Sequence, residues 1–175
     1  MSTKLERTLL QDYEDAEYWT ERKEFCHYLG GFFDGEGCVR VSESSNGRYF
    51  NLGVSLSQKK YDESDVLFKR IQRSFGGAVS LRKKAGVLQW SISGRGAAMF
   101  LRDIHPFLIL KAHQTDLALE WFNNREALTE DQSRAVYQEL VMLKRVPRHV
   151  IDDGTVPVQY WSKPFWRLTA AAGVS

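Results

Sequence analysis

The chain is poor in cysteine: only Cys26 and Cys38 occur among 175 residues. Two cysteines build neither the disulfide framework of a small secreted domain nor a cysteine-rich zinc site. A reducing, intracellular compartment is therefore expected. Long apolar runs are missing too. None approaches the roughly 20 residues needed to span a bilayer, so no membrane association is expected. The N-terminal stretch, with Glu6, Asp12, Glu14, Asp15 and Glu17, is too acidic for a secretory or organellar targeting peptide. The histidines at 27, 105, 113 and 149 show no tight metal-ligand spacing. Nucleophile elbow, phosphate-binding loop and dinucleotide fingerprint are all absent. No internal repeat and no low-complexity linker divides the chain.

What is present suits one globular domain with a sizeable core. Hydrophobic residues make up 43% of the chain and charged residues 26%, ordinary values for a packed soluble fold. The net charge of +2 hides an uneven distribution. Residues 1–39 carry four basic and nine acidic side chains, residues 40–104 twelve basic and five acidic, and residues 105–175 eight of each. The basic excess falls on the segment whose pattern is richest in strands. A localised positive surface of this kind suits a polyanionic partner.

The periodicity supplies an order of elements. A polar segment from Lys4 to Glu24 with Leu5, Leu9, Leu10, Tyr13 and Trp19 predicts a peripheral helix. A second helix is expected from about Glu24 to a glycine-rich end. After Gly37 the period becomes two: Cys38, Arg40, Ser42 and Ser44 alternate with Val39, Val41 and Glu43. Ser45-Asn46-Gly47 signals a hairpin turn. In the return strand Phe50, Leu52, Val54 and Leu56 face one way, and Tyr49, Asn51, Gly53, Ser55 and Ser57 the other. A helix is expected over Asp62–Phe75, with Val66, Leu67, Ile71 and Phe75 as its apolar positions and Gly76-Gly77 as its stop. A second hairpin follows, in which Val79 and Leu81 alternate with Ser80, Arg82 and Lys84, a turn at Ala85-Gly86 precedes the return, and Val87, Gln89, Ser91 and Ser93 alternate with Leu88, Trp90 and Ile92. Helices are then expected over about Arg95–Asp103, Lys111–Phe122 and Glu130–Arg145, and the Pro- and Trp-rich tail 147–175 is expected to pack on the domain. The domain proper is placed at 24–146, with 1–23 as an N-terminal helical extension.

Helix, two strands, helix, two strands and further helices predict an α+β fold, a four-stranded antiparallel sheet covered by helices on one face. The other face is expected to expose Arg40, Ser42, Ser44, Arg48, Tyr49, Asn51, Ser55, Ser57, Ser80, Arg82, Lys84, Gln89, Ser91 and Ser93. An ordinary solvated face mixes both charge signs, and this one has few acids. Its Ser, Asn, Gln and Arg side chains can hydrogen-bond to base edges in the DNA major groove, and its cations can contact phosphates. A two-stranded ribbon fits the width of that groove.

The glycine-rich helix end is Leu29-Gly30-Gly31-Phe32-Phe33-Asp34-Gly35-Glu36-Gly37. Gly31 and Gly35, four apart, share one helix face and offer a smooth track for close approach of another helix. An EF-hand reading of Asp34 onward fails, because its sixth and twelfth positions are Val39 and Ser45 rather than glycine and glutamate. These nine residues resemble the signature of the LAGLIDADG homing endonucleases. Leu29, Gly31, Asp34 and Gly37 match it outright, Gly30 and Gly35 stand where alanine or glycine is usual, and Glu36 replaces the acidic eighth residue. The resemblance extends over about Phe25–Phe122. It implies an αββαββα domain with a saddle-shaped sheet.

It also implies a double-stranded DNA substrate, a divalent cation (Mg2+, or another such as Mn2+), and metal-dependent phosphodiester hydrolysis. Glu36 would be the metal ligand, with the Gly35 carbonyl as a second oxygen. Asp34 is expected to cap backbone amides rather than bind metal. Gln58, at the end of the second strand, matches a residue that orders active-site water, and Lys59 or Lys60 would supply a basic group nearby. Asp62 stands where a relative has arginine, which leaves that basic group unassigned. Pro106-Phe107-Leu108-Ile109-Leu110-Lys111 resembles the family's Pro-Phe-Leu…Lys element, making Lys111 the residue that stabilises negative charge or tunes the water. A single signature implies a homodimer joined along Gly31 and Gly35 and a pseudo-palindromic target. Two other roles are compatible with the resemblance, an RNA-binding intron maturase and a non-catalytic DNA-binding regulator. Glu36, Gln58 and Lys111 favour cleavage over both. An intron-encoded protein of this kind would be cytoplasmic in a bacterium or phage and organellar if organelle-encoded.

Overall fold

The computed structural model describes residues 21–43 and 49–145. Most of the expected N-terminal extension, Ser44, the Ser45-Asn46-Gly47 turn, Arg48 and the tail 147–175 lie outside the described residues. Helix α1 covers 21–36 and passes directly into strand β1 (Gly37–Glu43). There follow β2 (Phe50–Lys59), α2 (Asp62–Phe75), β3 (Ala78–Arg82), β4 (Val87–Ser93), α3 (Gly94–Ile104), a 3-10 turn (His105–Phe107), α4 (Ala112–Asn124) and α5 (Glu130–Arg145). The strands form one antiparallel sheet in the order β1-β2-β4-β3. The α+β architecture expected from the sequence is therefore the one observed.

Alternation decides the two faces. Val39 lies opposite Val54, Val41 opposite Leu52, and Leu56 opposite Trp90, and all six are buried beneath the helices. One residue along, Cys38 meets Ser55, Arg40 meets Gly53, and Ser57 meets Gln89 on the open face. A one-residue slip would exchange the two sets, so burial of the valine and leucine face fixes the register.

Phe100 on α3 is the centre of the core. Its ring lies 4.9 Å from Trp90 of β4, 5.0 Å from Phe75 of α2 and 5.6 Å from Phe33 of α1. Edge-on and tilted contacts of this kind add to the area that the rings bury. The Trp90 indole also donates to the Gly76 carbonyl at 2.8 Å, which ties the end of α2 to the sheet. At the rim, Arg22 of α1 pairs with Asp103 of α3 at 2.5 Å. Arg134 of α5 bridges Glu130 and Glu43, and the hydrogen bonds it donates to both carboxylates raise its already high pKa.

Two expectations need correction. Val66 is not a core position of α2: it is 69% exposed, while Ser64, Phe68 and Ile71 are buried. At 100° per residue Val66 falls opposite the stripe that those three make with Phe75. Lys84 is not a strand residue. Ala85 N–H donates to Arg82 C=O at 3.0 Å and Gly86 has φ 62°, so the turn closes over 83–86 and β3 stops at Arg82.

Phe100→Ala would open a cavity where four elements meet. A loss of about 3–5 kcal/mol is expected in urea unfolding, with the cooperative transition retained.

Candidate active site and nucleic-acid interface

The signature helix carries two kinds of glycine. Gly30 and Gly37 are packed within the chain. A Cβ on Gly30 would lie 2.6 Å from the Phe107 Cβ, and one on Gly37 would lie 2.3 Å from the Phe33 ring. Gly31 and Gly35 face outward, with nothing within 4 Å of a Cβ on either. Beside them Tyr28 is 55% exposed and stacks on Phe32 at 6.1 Å. Phe25, Cys26, Leu29 and Phe33, on the opposite side of α1, are buried. The expected track for close approach is thus open along one side of the helix.

Asp34 caps backbone amides, as expected, and the amides belong to a distant segment. One carboxylate oxygen accepts Ile109 N–H at 2.7 Å and Leu110 N–H at 2.9 Å, and the other accepts Lys111 N–H at 2.8 Å. These donors lead into α4, whose first N–H groups have no partner within the helix. A negative charge there also complements the helix dipole. The return contact is the Lys111 ammonium, which donates to the Asp34 main-chain carbonyl. That carbonyl belongs to the last turn of α1, where a cation is favoured.

With both Asp34 oxygens engaged, Glu36 is the exposed carboxylate at this helix end. The described residues contain no group of three or more His, Cys, Asp or Glu able to enclose a metal ion. One chain offers the Glu36 carboxylate and the Gly35 carbonyl. Such a sparse, all-oxygen set suits Mg2+, which keeps water and substrate phosphate in its shell, better than an ion that demands a protein cage. Beside it opens a hollow of about 460 Å3, lined by Asp34, Gly37, Cys38, Lys111, Gln114 and Lys144 together with the apolar Leu110 and Leu143. Lys144, near the end of α5, was invisible as a site residue in the sequence. Only the packing of α5 brings it beside a signature more than a hundred positions earlier.

Gln58 lies on the helix-side face of β2, two residues beyond Leu56, which pairs with Gly37. It is thus at the same end of the sheet as the signature, and its side-chain carbonyl accepts Lys59 N–H at 2.8 Å. Lys59 closes β2 on the open face, and exposed Lys60 donates its amide to Gly86 C=O at 2.9 Å. Arg40, Ser42, Asn51, Ser55, Ser57, Ser80, Arg82, Gln89 and Ser91 all lie on the open face as expected, but Ser55 is buried there, covered by the Arg40 side chain, rather than exposed, and exposed Tyr49 stands just before β2. No Asp or Glu lies on that face among the described strand residues.

Residues 29–111 match the family model described as LAGLIDADG endonuclease. This segment is similar to a LAGLIDADG domain. The match begins at the first residue of the signature and ends at Lys111, the two segments that Asp34 joins. Solved structures share the fold. The homing endonuclease I-CvuI, in complex with its target, superposes with a TM-score of 0.61 at 20% identity, covering 71% of this chain and 84% of that one. The archaeal intron-encoded homing endonuclease I-Vdi141I, complexed with DNA, gives 0.53 at 20% identity over 66% and 81% of the two chains. The LAGLIDADG meganuclease I-AabMI, bound to uncleaved DNA, gives 0.52 at 20% identity over 66% of this chain and 43% of that one. No curated protein is a significant sequence match to the chain.

Asp34→Ala would leave three amides and the start of α4 without their acceptor. A loss of about 3 kcal/mol in chemical denaturation is expected, since hydrogen bonds to a charged group contribute about 1.5–3 kcal/mol. Hydrogen exchange at 109–111 should accelerate before that of the sheet.

Proposed function

We propose that the protein is a site-specific homing endonuclease that makes a double-strand break in a long, pseudo-palindromic DNA target. The observation that carries this reading is the position of Glu36. It is an exposed carboxylate at the end of the signature helix, where that helix enters a sheet face bearing Arg, Lys, Ser, Asn and Gln and, among the described strand residues, no acid. The open face would lie in the major groove, with Arg40, Ser42, Asn51, Ser57, Ser80, Gln89 and Ser91 toward base edges and buried Ser55 supporting Arg40 from beneath. Lys59, Lys60, Arg82 and Lys84, at strand ends and the turn, would reach phosphates at the groove rim. Tyr49, just before β2, belongs to the same proposed surface; Ser44 and Arg48, outside the described residues, are assigned to it from the sequence alone.

Glu36 and the Gly35 carbonyl would hold Mg2+ or Mn2+, which supplies a water of lowered pKa and offsets charge on the scissile phosphate. Gln58 would orient water from the sheet side. Lys111 is held at the signature helix end through the Asp34 carbonyl, and in this reading its charge would offset negative charge developing on phosphate oxygens. A protein of this activity would work inside the cell or organelle that holds its target gene.

The functional unit in this reading is a homodimer. One chain brings one Glu36, and cutting two strands takes two. The outward Gly31 and Gly35, flanked by exposed Tyr28, leave room for a second signature helix at close range. The same two-fold axis would impose the near-palindrome on the target.

Two experiments test the reading. Wild type and Glu36→Gln are incubated with a plasmid target library and Mg2+. Site-specific double-strand cleavage by wild type alone is expected. Equal sequence-specific binding by both proteins without cutting would instead identify a DNA-binding regulator. Gly31→Leu is expected to convert a dimer to a monomer in sedimentation and to abolish cleavage. A dimeric, fully active Gly31→Leu protein would remove the proposed interface.

A further inference from the structure

Arg40 differs from the other cations of the open face because its side chain is folded onto the sheet. It stands on β1, an edge strand, directly opposite Gly53 of β2. A Cβ on Gly53 would lie 3.0 Å from the Arg40 Nε and 3.3 Å from both its Cγ and Cζ. The guanidinium therefore lies across the bare glycine backbone, in space that any other residue would fill. Beyond Gly53 its Nη1 donates to the Ser55 hydroxyl at 3.3 Å, and Ser55 is itself buried. No carboxylate lies on this face among the described strand residues to neutralise the charge.

This arrangement draws the guanidinium inward from the edge strand to a position over β2. When such a sheet lies in a major groove, phosphates flank its rim and base edges form its floor. A cation swinging freely from an edge strand would reach the rim, whereas one held over the second strand faces the floor. Guanidinium has five N–H donors, and Ser55 takes one. The remaining donors match the two acceptors of a guanine, O6 and N7, which arginine engages as a fork.

We infer that Arg40, seated on Gly53 and buttressed by Ser55, is a specificity residue that reads a guanine in each half of the DNA target. The inference rests on the endonuclease reading above and deepens it. It also gives a position. The Arg40 backbone is three residues along β1 from Gly37, and its guanidinium leans back to Ser55, the partner of Cys38, one residue from Gly37, so the head group lies about 3–10 Å along the strand. That distance corresponds to about one to three base pairs of duplex. The guanine should lie about that far from the cleavage point, repeated by the two-fold axis.

The test is selection of bound duplexes from a randomised double-stranded library by wild type, Arg40→Gln and Gly53→Ala. For wild type, one symmetry-related position near the centre should favour guanine by roughly 5–150-fold, the range of a good bidentate contact. Arg40→Gln should shift that position alone toward adenine, the base that Gln reads in the same fork geometry. Gly53→Ala should weaken the guanine preference there and leave other positions unchanged, because its Cβ displaces the guanidinium. The inference is overturned if Arg40→Gln lowers affinity for all sequences equally and flattens the salt dependence, the behaviour of a phosphate contact. It is also overturned if Gly53→Ala keeps the full preference. Selection of no sequence at all by wild type would overturn the endonuclease reading itself, an outcome distinct from either.

Discussion

The Asp34 carboxylate holds together the parts of this molecule that chemistry would require to be together. Its three amide partners lie 75 to 77 residues away in the chain, at the entry to α4. The Lys111 ammonium closes the loop by binding the main-chain carbonyl of the same aspartate. The end of one helix and the start of another are thus joined by reciprocal contacts that satisfy exposed donors on one and a carbonyl on the other. Glu36 is two residues from this clamp and Lys111 is part of it. Aspartate here acts by freezing geometry, and the neighbouring glutamate stays exposed.

The signature is also a division of labour among glycines. Gly30 and Gly37 are needed because their own chain presses against them, Phe107 in one case and Phe33 in the other. Gly31 and Gly35 are small where the chain leaves empty space. The first pair follows from the fold of a single copy. The second pair has no explanation within one copy, and it is this surplus smoothness that gives a second helix its place in the proposed dimer.

Much of the fold was legible because its signals are local. Alternation over 37–43 and 50–59 assigned the two sheet faces residue by residue, since a strand must put every second side chain on the same side. The Gly76-Gly77 stop and the inward valines and leucines were visible for the same reason. What was missed depended on partners far along the chain. Val66 looked apolar enough for the core, yet Ser64 took the buried place because helix phase, set by Phe68 and Ile71, outranks the hydropathy of one residue. Lys84 kept the alternation of β3 on paper, but Gly86 tightened the turn before the strand could reach it. At the site, Asp34 could be assigned to amides by its chemistry, but which amides required the fold. Lys144 left no local trace at all.

No loop separates Glu36 from β1: α1 ends and the strand begins at consecutive residues. The junction is therefore a covalent ruler. The spacing from the exposed carboxylate to each side chain of the sheet face is counted in whole strand residues, with no slack to absorb an error. One residue inserted there would turn all of β1 over, sending Val39 and Val41 to the open side and Arg40 into the core. Point substitutions on the open face can change what that surface touches, but they cannot change its offset from Glu36. Divergence of such a protein should accordingly be rich in substitutions along β1 and empty of insertions or deletions at its start.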